Sequence, residues 1–518
     1  MGKRKSVDSQ RRGLSVSYHR IAATLLLAVV VAPLTGCGTG TGAGRDGAER
    51  AGKVNVVMFL IDTLRADRVG CYGYDKPTSP AMDALAAEGV LFTRAQAPAP
   101  WTCPSIPSIF TSTFLCEHGI TTELKRLSPK IKTLAERFKQ IDYHTASYFI
   151  NTFAGPTTGM DRGFDIAVLQ PHGRFFVDGR VTDEWAQQRP ADKPFFLYVH
   201  NIEPHNPFRA PRVLVPLFGN VDPAVQNLIG QLVAGRYRPN LRPDWDVRRG
   251  GMVRPLGTTD REAILAAAVA ELDKHLAAHS VLYDAVVREA DQRLASVIAS
   301  LKRNNLWDDT LFIVLADHGE ELSEHGDYLH SQSVYEELSA VPLIIRFPGN
   351  EYAGRVVEDV VTLVDVLPTI FDYLGRPDLS DGARGRSLMP LVRGERRPPG
   401  EFVVTTVREN IIKYRKRWDE LRGNINIAVY TRDGRWKGIW NVERDTFEIY
   451  DHENDPTDLV NVCDEHPELR DAMYQFVREW YASCGGEAIS QESVSDESLR
   501  VLEALGYAGG EIDDDDAE

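Results

Sequence analysis

The chain has 518 residues, 43% of them hydrophobic and 26% charged, with a formal net charge of −15. That length suits one large α/β domain with appendages and leaves ample material for a core. The acidic balance excludes a phosphate-backbone binder, which carries a basic face, so no nucleic-acid partner is expected and an anionic substrate would need a local cation.

The first stretch, MGKRKSVDSQRRGLSVSYHR, is basic, and IAATLLLAVVVA after it is an apolar run of a dozen residues. Such a run is short for a membrane span and suits the core of a secretory signal. Leu34-Thr35-Gly36-Cys37 resembles the bacterial lipoprotein cleavage box, which implies a signal peptide over 1–36 and lipidation of Cys37. An ordinary cleaved signal is the alternative. Gly38, rather than Asp, follows the cysteine, which would direct a lipoprotein to the outer membrane of a Gram-negative cell; otherwise the expected place is the cell surface. Residues 37–52 read as a flexible tether. The expectation is therefore an exported protein held to a membrane through a lipid anchor. The five remaining cysteines are an odd, sparse set and not a disulfide scaffold. Sequence alone leaves a Cys463–Cys484 bridge open.

VNVVMFLID (Val54 to Asp62) is apolar without alternation, as expected of a strand buried on both faces of a parallel sheet. PFFLYVH (194–200), TLFIVLADHG (310–319) and VPLIIRFPG (341–349) repeat the form. Amphipathic stretches at 132–141 and 279–302 predict helices between strands. The alternation predicts a doubly wound, mostly parallel α/β sheet sandwiched by helices. Ligands bind beyond the carboxyl ends of strands in such sheets, and Asp62, His200, Asp317 and His318 fall at that edge. The large domain is expected over 53–395, with an insertion at about 213–276. A smaller C-terminal α+β domain is expected over 396–484. INIAVY and WKGIW flank an Asp433-Gly434 turn, which predicts a hairpin. Leu469, Met473, Phe476, Val477 and Trp480 would share one face of a helix. Residues 485–518 read as a docking helix and an acidic tail.

Asp62 and the Asp317-His318 pair could place two carboxylates and an imidazole around one divalent cation: Zn, Mn or Ca. Each alone is equally an ordinary helix cap or turn; together, on like strand ends, they favour a single metal.

NVVMFLIDTLRADRVGCYGY, PFFLYVHNIEPHNPF, DDTLFIVLADHGEE, YEELSAVPLIIRFPG, GRSLMPLVRG and FEIYDHENDPTDLVN follow one another in family order, and through them the chain resembles the sulfatase family of the alkaline phosphatase superfamily. The resemblance covers Val54 to about Asn461. It implies a large α/β domain with a metal above the sheet and a smaller C-terminal domain closing one side. The family's modification motif is Cys-x-Pro-x-Arg, with Cys or Ser converted to formylglycine. Here the stretch is PAPWTCPSIPSIFTS. Registering on Pro104 puts Thr102 in the nucleophile position, Cys103 in the variable one and Ile106 in place of Arg. Registering on Cys103 fails at Ser105 and Pro107. Formylglycine is therefore not expected, and Thr102 is the expected nucleophile and a metal ligand. Pro104 is expected to begin a helix, whose free N–H groups would receive anionic oxygens. Thr102 would otherwise serve only as that helix's cap.

Formylglycine sulfatases typically carry paired acids after the first strand and Asp-Asn later; here Thr63 follows Asp62, and His318 follows Asp317. The set Asp62, Thr102, Asp317 and His318 resembles the metal site of lipoteichoic acid synthases and one of the two zinc sites of nucleotide phosphodiesterases. Phosphonate monoester hydrolases share the Asp and Asp-His ligands but use formylglycine. By the same resemblance, His205 and Asn151 bind substrate, Asn151 standing near where sulfatases carry Lys. His330 would donate a proton to the leaving group, with Arg65 and His325 as weaker candidates. A covalent threonine ester of phosphate can be opened at phosphorus, whereas formylglycine expels sulfate through a second hydroxyl that Thr lacks. The expected function is a metal-dependent hydrolase or transferase of phosphate or sulfate esters, small or polymeric, with phosphate favoured. A conventional arylsulfatase-like enzyme and a catalytically degenerate binding lipoprotein are the alternatives.

Overall fold

The computed structural model of the protein describes residues 52–122, 125–169, 177–206, 208–221, 261–326, 328–396, 401–408, 425–484 and 492–493. The signal, Cys37, most of the tether and the acidic tail lie outside them, as does most of the 213–276 stretch. No helix among the described residues is long and apolar enough to cross a membrane.

Eight strands form the central sheet, in the order Arg355–Val357, Val90–Phe92, Leu343–Arg346, Thr310–Leu315, Asn55–Ile61, Phe195–Asn201, His144–Phe149 and Ile166–Leu169. The last five in that order run parallel. Val56 to Ile61 are all fully buried at the centre, as the unbroken apolar run required. The sheet is mostly parallel and flanked by helices, as expected. One strand departs: Leu343–Arg346 is antiparallel to both neighbours. Among its described residues, the segment 316–342 contains a small hairpin of Glu321–Leu322 with Tyr328–Leu329 and the four-residue helix Glu336–Ser339, but no crossover helix. It stays at the carboxyl edge, so the next strand starts there and must run back.

The helix expected at 132–141 is Leu134–Lys139, begun by a capping box in which Thr133 Oγ1 accepts from Glu136 N and the Glu136 carboxylate accepts from Thr133 N. The helix expected at 279–302 extends from Arg261 to Arg303, so it begins within the stretch read as an insertion. From it, Asp291 accepts the N–H groups of Ala81 and Met82 and caps the neighbouring helix Pro80–Glu88.

The C-terminal domain is an antiparallel sheet of Phe402–Arg408, Asn426–Thr431, Trp436–Asn441 and Thr446–Asp451, covered by the helix Pro467–Ser483. The hairpin falls where expected, with Tyr430 opposite Lys437. Gly434 takes φ +72° in its turn, a conformation that favours glycine. Met473 and Val477 are buried, and Leu469, Phe476 and Trp480 pack beside them.

This domain packs on the large one through an apolar cluster that joins Phe114, Leu115 and Val364 to Val404 and Val407, and through polar contacts. Val407 N donates to Pro98 O and Thr406 Oγ1 to Ala97 O, just before Thr102, while Arg408 Nε donates to Ser331 O. Below these, fully buried Lys437 lies 2.5 Å from the Asp458 carboxylate and 3.1 Å from Glu336. Asp458 also passes its backbone carbonyl to His325 Nε2 at 3.0 Å, and His325 Nδ1 meets Glu337 at 2.9 Å. Both ring nitrogens of His325 thus face acceptors, so the imidazolium is the favoured form. Burial opposes its charge, but Glu337 and the Asp458 carbonyl raise its pKa to about 9.

The folded value lies above the ordinary 6.5. The stability His325 contributes is therefore complete below about pH 6.5 and is lost as pH rises through about 9. Thermal melts of wild type and His325→Gln should differ most near pH 6 and converge towards pH 10; a constant gap would mean that the charge of His325 contributes nothing.

Candidate active site

Parallel register brings the functional side chains to one edge. Leu60 stands opposite both His200 and Leu315 in the flanking strands, so Asp62, His200 and Asp317 emerge together. Asp62 continues the strand by donating its N–H to Asn201 O. Thr63 then takes φ +59°, unusual for a β-branched residue, and this turns its N–H onto Asp317 Oδ1 at 3.3 Å. Tyr283, from the long helix, fixes the bend by donating its hydroxyl to Thr63 O and accepting from Arg65 N. After Asp317 and His318 the chain passes so close to a neighbouring segment that a Cβ on Gly319 would lie 1.9 Å from Glu337 O. Only glycine fits there.

The helix expected to begin at Pro104 begins at Thr102 itself and runs to Thr111, with Trp101 as N-cap and no side-chain capping bond. Thr102 is therefore not spent as a cap. Its hydroxyl lies 3.3 Å from His318 Nε2, 3.5 Å from Asp62 Oδ1 and 3.5 Å from Asn151 Nδ2. Cys103 points the other way and is fully buried in the apolar core. Ser105, a turn further on, donates to Asp317 O at 2.7 Å and ties this helix to the strand edge.

All four residues expected as metal ligands come together. His318 Nε2 is 3.5 Å from Asp62 Oδ1 and 3.5 Å from Asp317 Oδ2. Its Nδ1 donates to Gly319 O at 2.9 Å, which leaves the Nε2 lone pair facing the acids. His200 joins them, with Nε2 3.5 Å from Asp62 Oδ2, and ligand atoms of Asp62, His200 and Asp317 all lie within 4.8 Å of one another. The sequence had placed His200 at this edge without giving it a ligand role.

The electrostatics show what the cluster needs. Asp62 and Asp317 are both wholly buried. Burial pushes Asp62 up, but charge on His205, then His200 and His318, more than reverses this and holds it far below the usual carboxylate range. Burial and the charge of Asp62 push Asp317 well above it. His318 is driven down to about 3 by burial and by the charge of His330. Asp317 Oδ2 and both ring nitrogens of His200 have no hydrogen-bond partner. Two adjacent buried carboxylates beside the imidazoles of His200 and His318 are a donor set that fits a divalent cation.

Around this cluster stand the other expected residues. Asn151 Oδ1 accepts from Phe153 N, which aims Nδ2 at Asp62 Oδ2, 3.2 Å away, and at Thr102. His330 Nδ1 meets buried Glu320 at 3.1 Å; burial opposes the charge of the ring, but Glu320 raises its pKa above the usual value. The His330 ring centroid is 4.6 Å from that of His318 and 5.0 Å from that of His205. Arg65 and His325 stay out of this group: Arg65 pairs with Asp67 and Glu324, and His325 with Glu337. Ser105, Tyr283, Gly319 and Glu320 were not singled out in the sequence. Only the close approach at Gly319 leaves a sequence signal, the Asp-His-Gly turn.

Comparison with known proteins identifies the family. Residues 54–376 match the family model described as Sulfatase, and 323–479 match N-sulphoglucosamine sulphohydrolase, C-terminal. The N-acetylglucosamine-6-O-sulfatase of Bacteroides thetaiotaomicron is 25% identical over 85% of this chain and 87% of its own length. Rat arylsulfatase K is 25% identical over 82% and 77% respectively. Among solved structures, phosphonate monoester hydrolase of Agrobacterium radiobacter superposes with TM-score 0.63 at 21% identity, covering 83% of this chain and 96% of that one. A protein solved in complex with its substrate D-glucosamine-2-N,6-O-disulfate gives TM-score 0.63 at 20% identity, over 85% and 100%. Fold and sequence thus define an ester hydrolase of the alkaline phosphatase superfamily. Within it, the chain belongs to the sulfatase family. Enzymes of this family use a metal ion, and the carboxylate–imidazole cluster is where this chain could hold it.

Asp317→Asn should lower the divalent metal retained after desalting from about one ion per chain to near none by elemental mass spectrometry. Asn151→Ala should retain it, because its amide is not among the ligand atoms. Equal metal content in both variants would sink the assignment of the ligands.

Proposed function

We propose that this sulfatase-family hydrolase uses Thr102 as its nucleophile, on esters of phosphorus acids. The observation that carries this reading is the Thr102 hydroxyl, which is uncapped, buried and 3.3–3.5 Å from His318, Asp62 and Asn151, with Cys103 turned into the core. Asp62, His200, Asp317 and His318 would hold one divalent ion, Zn or Mn by their donor set. When bound, that ion supplies positive charge that favours ionisation of a nearby hydroxyl and stabilises developing oxyanions.

The residues then divide the work. Thr102 Oγ1 forms a bond to phosphorus as the bond to the leaving oxygen breaks. His330 gives that oxygen a proton, and Glu320 on its other nitrogen supports the charged ring beforehand. Asn151 Nδ2 and His205 bind non-bridging oxygens beside the first turn of the Thr102–Thr111 helix. Water next attacks phosphorus and frees Thr102, with neutral His330 now accepting the proton; an alcohol in place of water would make the reaction a transfer. Sulfate esters are the second reading, favoured by the relatives whose names specify sulfatases. The chain would work outside the cytoplasm, anchored through lipid on Cys37. Incorporation of labelled fatty acid into wild type but not Cys37→Ala tests the anchor.

Thr102→Ala should lower kcat/KM on activated phosphodiesters and phosphonate monoesters by about 10³-fold or more. Acid-quenched wild type should carry a phosphoryl group on the Thr102 peptide by mass spectrometry. Full activity in the alanine variant, or formylglycine at Cys103, would overturn the nucleophile. His330→Gln should slow substrates with basic leaving groups far more than those with nitrophenolate. An equal loss on both would remove His330 as proton donor.

A further inference from the structure

Two cysteines far apart in sequence meet at the seam between the large domain and the C-terminal helix. Cys116 lies on the short helix Leu115–His118, just beyond the Thr102–Thr111 helix, and Cys484 directly follows the helix Pro467–Ser483. They are separated by 368 positions, yet their Sγ atoms are 2.7 Å apart. That is closer than two unbonded sulfur atoms pack. Cys463, the partner left open by the sequence, instead opens a turn at Cys463–Glu465.

Neighbouring contacts fix the two backbones independently of the sulfurs. Phe114 and Trp480 meet edge to face at 5.0 Å. Arg384 binds the Glu117 carboxylate and, at 3.1 Å, Ser483 O. Phe114 and Glu117 on either side of Cys116 are thus anchored to Trp480 and Ser483 shortly before Cys484. Cys116 is half-buried and Cys484 buried, so a reagent can reach the first and the second can resolve it.

We propose that Cys116 and Cys484 form a disulfide in the mature protein, fastening the C-terminal helix to the segment behind the nucleophile's helix. The oxidant is a disulfide of a thiol–disulfide oxidoreductase, or oxidised glutathione. The Cys116 thiolate attacks one oxidant sulfur and displaces the other as a thiol, giving a mixed disulfide. The Cys484 thiolate then attacks Cys116 Sγ, the protein Sγ–Sγ bond forms, and the second oxidant sulfur leaves. Two electrons pass to the oxidant and the two cysteine protons are released or carried by its thiols. Formation in the cell rests on the export proposed above; the pairing itself does not. Closing so long a loop removes much freedom from the unfolded chain and so stabilises the fold.

The test uses the full-length purified protein, treated with oxidised glutathione, unfolded in an alkylating agent and digested without reductant. The expected result is a Cys116–Cys484 linked peptide, with Cys71, Cys103 and Cys463 alkylated. Alkylation of both Cys116 and Cys484, or a Cys463–Cys484 link, would overturn the pairing. Cys116→Ser should lower the melting temperature of oxidised protein by several degrees and leave reduced protein unchanged. Cys463→Ser should keep the link. Protein alkylated at once in intact cells reports the compartment. A linked peptide there supports both readings, whereas reduced cysteines that still cross-link in glutathione would overturn export and leave the pairing standing.

Discussion

The whole arrangement depends on two carboxylates buried side by side at the carboxyl ends of parallel strands. Neither Asp62 nor Asp317 reaches solvent, and no lysine or arginine side chain bonds to either among the described residues. Parallel register makes the approach unavoidable, because the strands that carry them are neighbours in the sheet. Uncompensated, such a pair is costly, and one acid stays protonated. A divalent cation removes the conflict and converts a liability of the fold into a reagent. The same cation then needs a shaped surround that excludes other water and presents one hydroxyl.

That surround is supplied from every layer of the molecule. Strained Thr63 turns an amide onto Asp317, Tyr283 on the long helix holds the bend, and Ser105 ties the Thr102–Thr111 helix to the Asp317 backbone. Gly319 lets two backbones approach where no side chain fits. The C-terminal domain does not enter the cluster, yet its strand Phe402–Arg408 pins Ala97 and Pro98 before Thr102 and Ser331 after His330. Phe114, Leu115 and Val364 share an apolar seam with Val404 and Val407 of the second sheet, and beside it Lys437 is buried between Asp458 and Glu336. Lys437 meets an acid on each side, and Asp458 also accepts from the backbone N–H of Glu336.

Much of this was legible in the sequence because the relevant signals are local. An apolar run ending in Asp is a buried strand with its acid at the ligand edge, and Asp62 and Asp317 both follow that rule. Register against the modification motif singled out Thr102, and its hydroxyl does lie beside Asp62 and His318. His200 was visible at the edge but not as a candidate ligand, since a histidine after an apolar run also reads as a core residue; only the convergence of three strands brings it beside Asp62 and Asp317. The reversed direction of Leu343–Arg346 was hidden because burial on both faces looks alike in either direction. Thr63's left-handed backbone and the meeting of Cys484 with Cys116 were illegible for a simpler reason. They are set by contacts across hundreds of residues, which no local pattern records.

The chemistry available to the site follows from what surrounds the nucleophile. Asn151 stands where a cationic anchor is expected by family resemblance, and the guanidinium groups nearby are committed, Arg65 to Asp67 and Glu324, Arg293 to Glu203 and Glu289. On the proposed reading, substrate charge would meet a cation held by the acids, two imidazoles and the first turn of one helix, with no fixed basic side chain beside them among the described residues. Such a site stabilises charge that develops on oxygen in the transition state more than charge already spread over a bound anion. A threonine ester left behind carries no second hydroxyl to expel its acid, so its release depends on attack by water at the central atom. Phosphorus accepts that attack through a five-coordinate arrangement that the same donors can hold. On the proposed reading, Thr102 in the nucleophile position and Asn151 where sulfatases carry a lysine would then be parts of one chemistry, not two separate erosions.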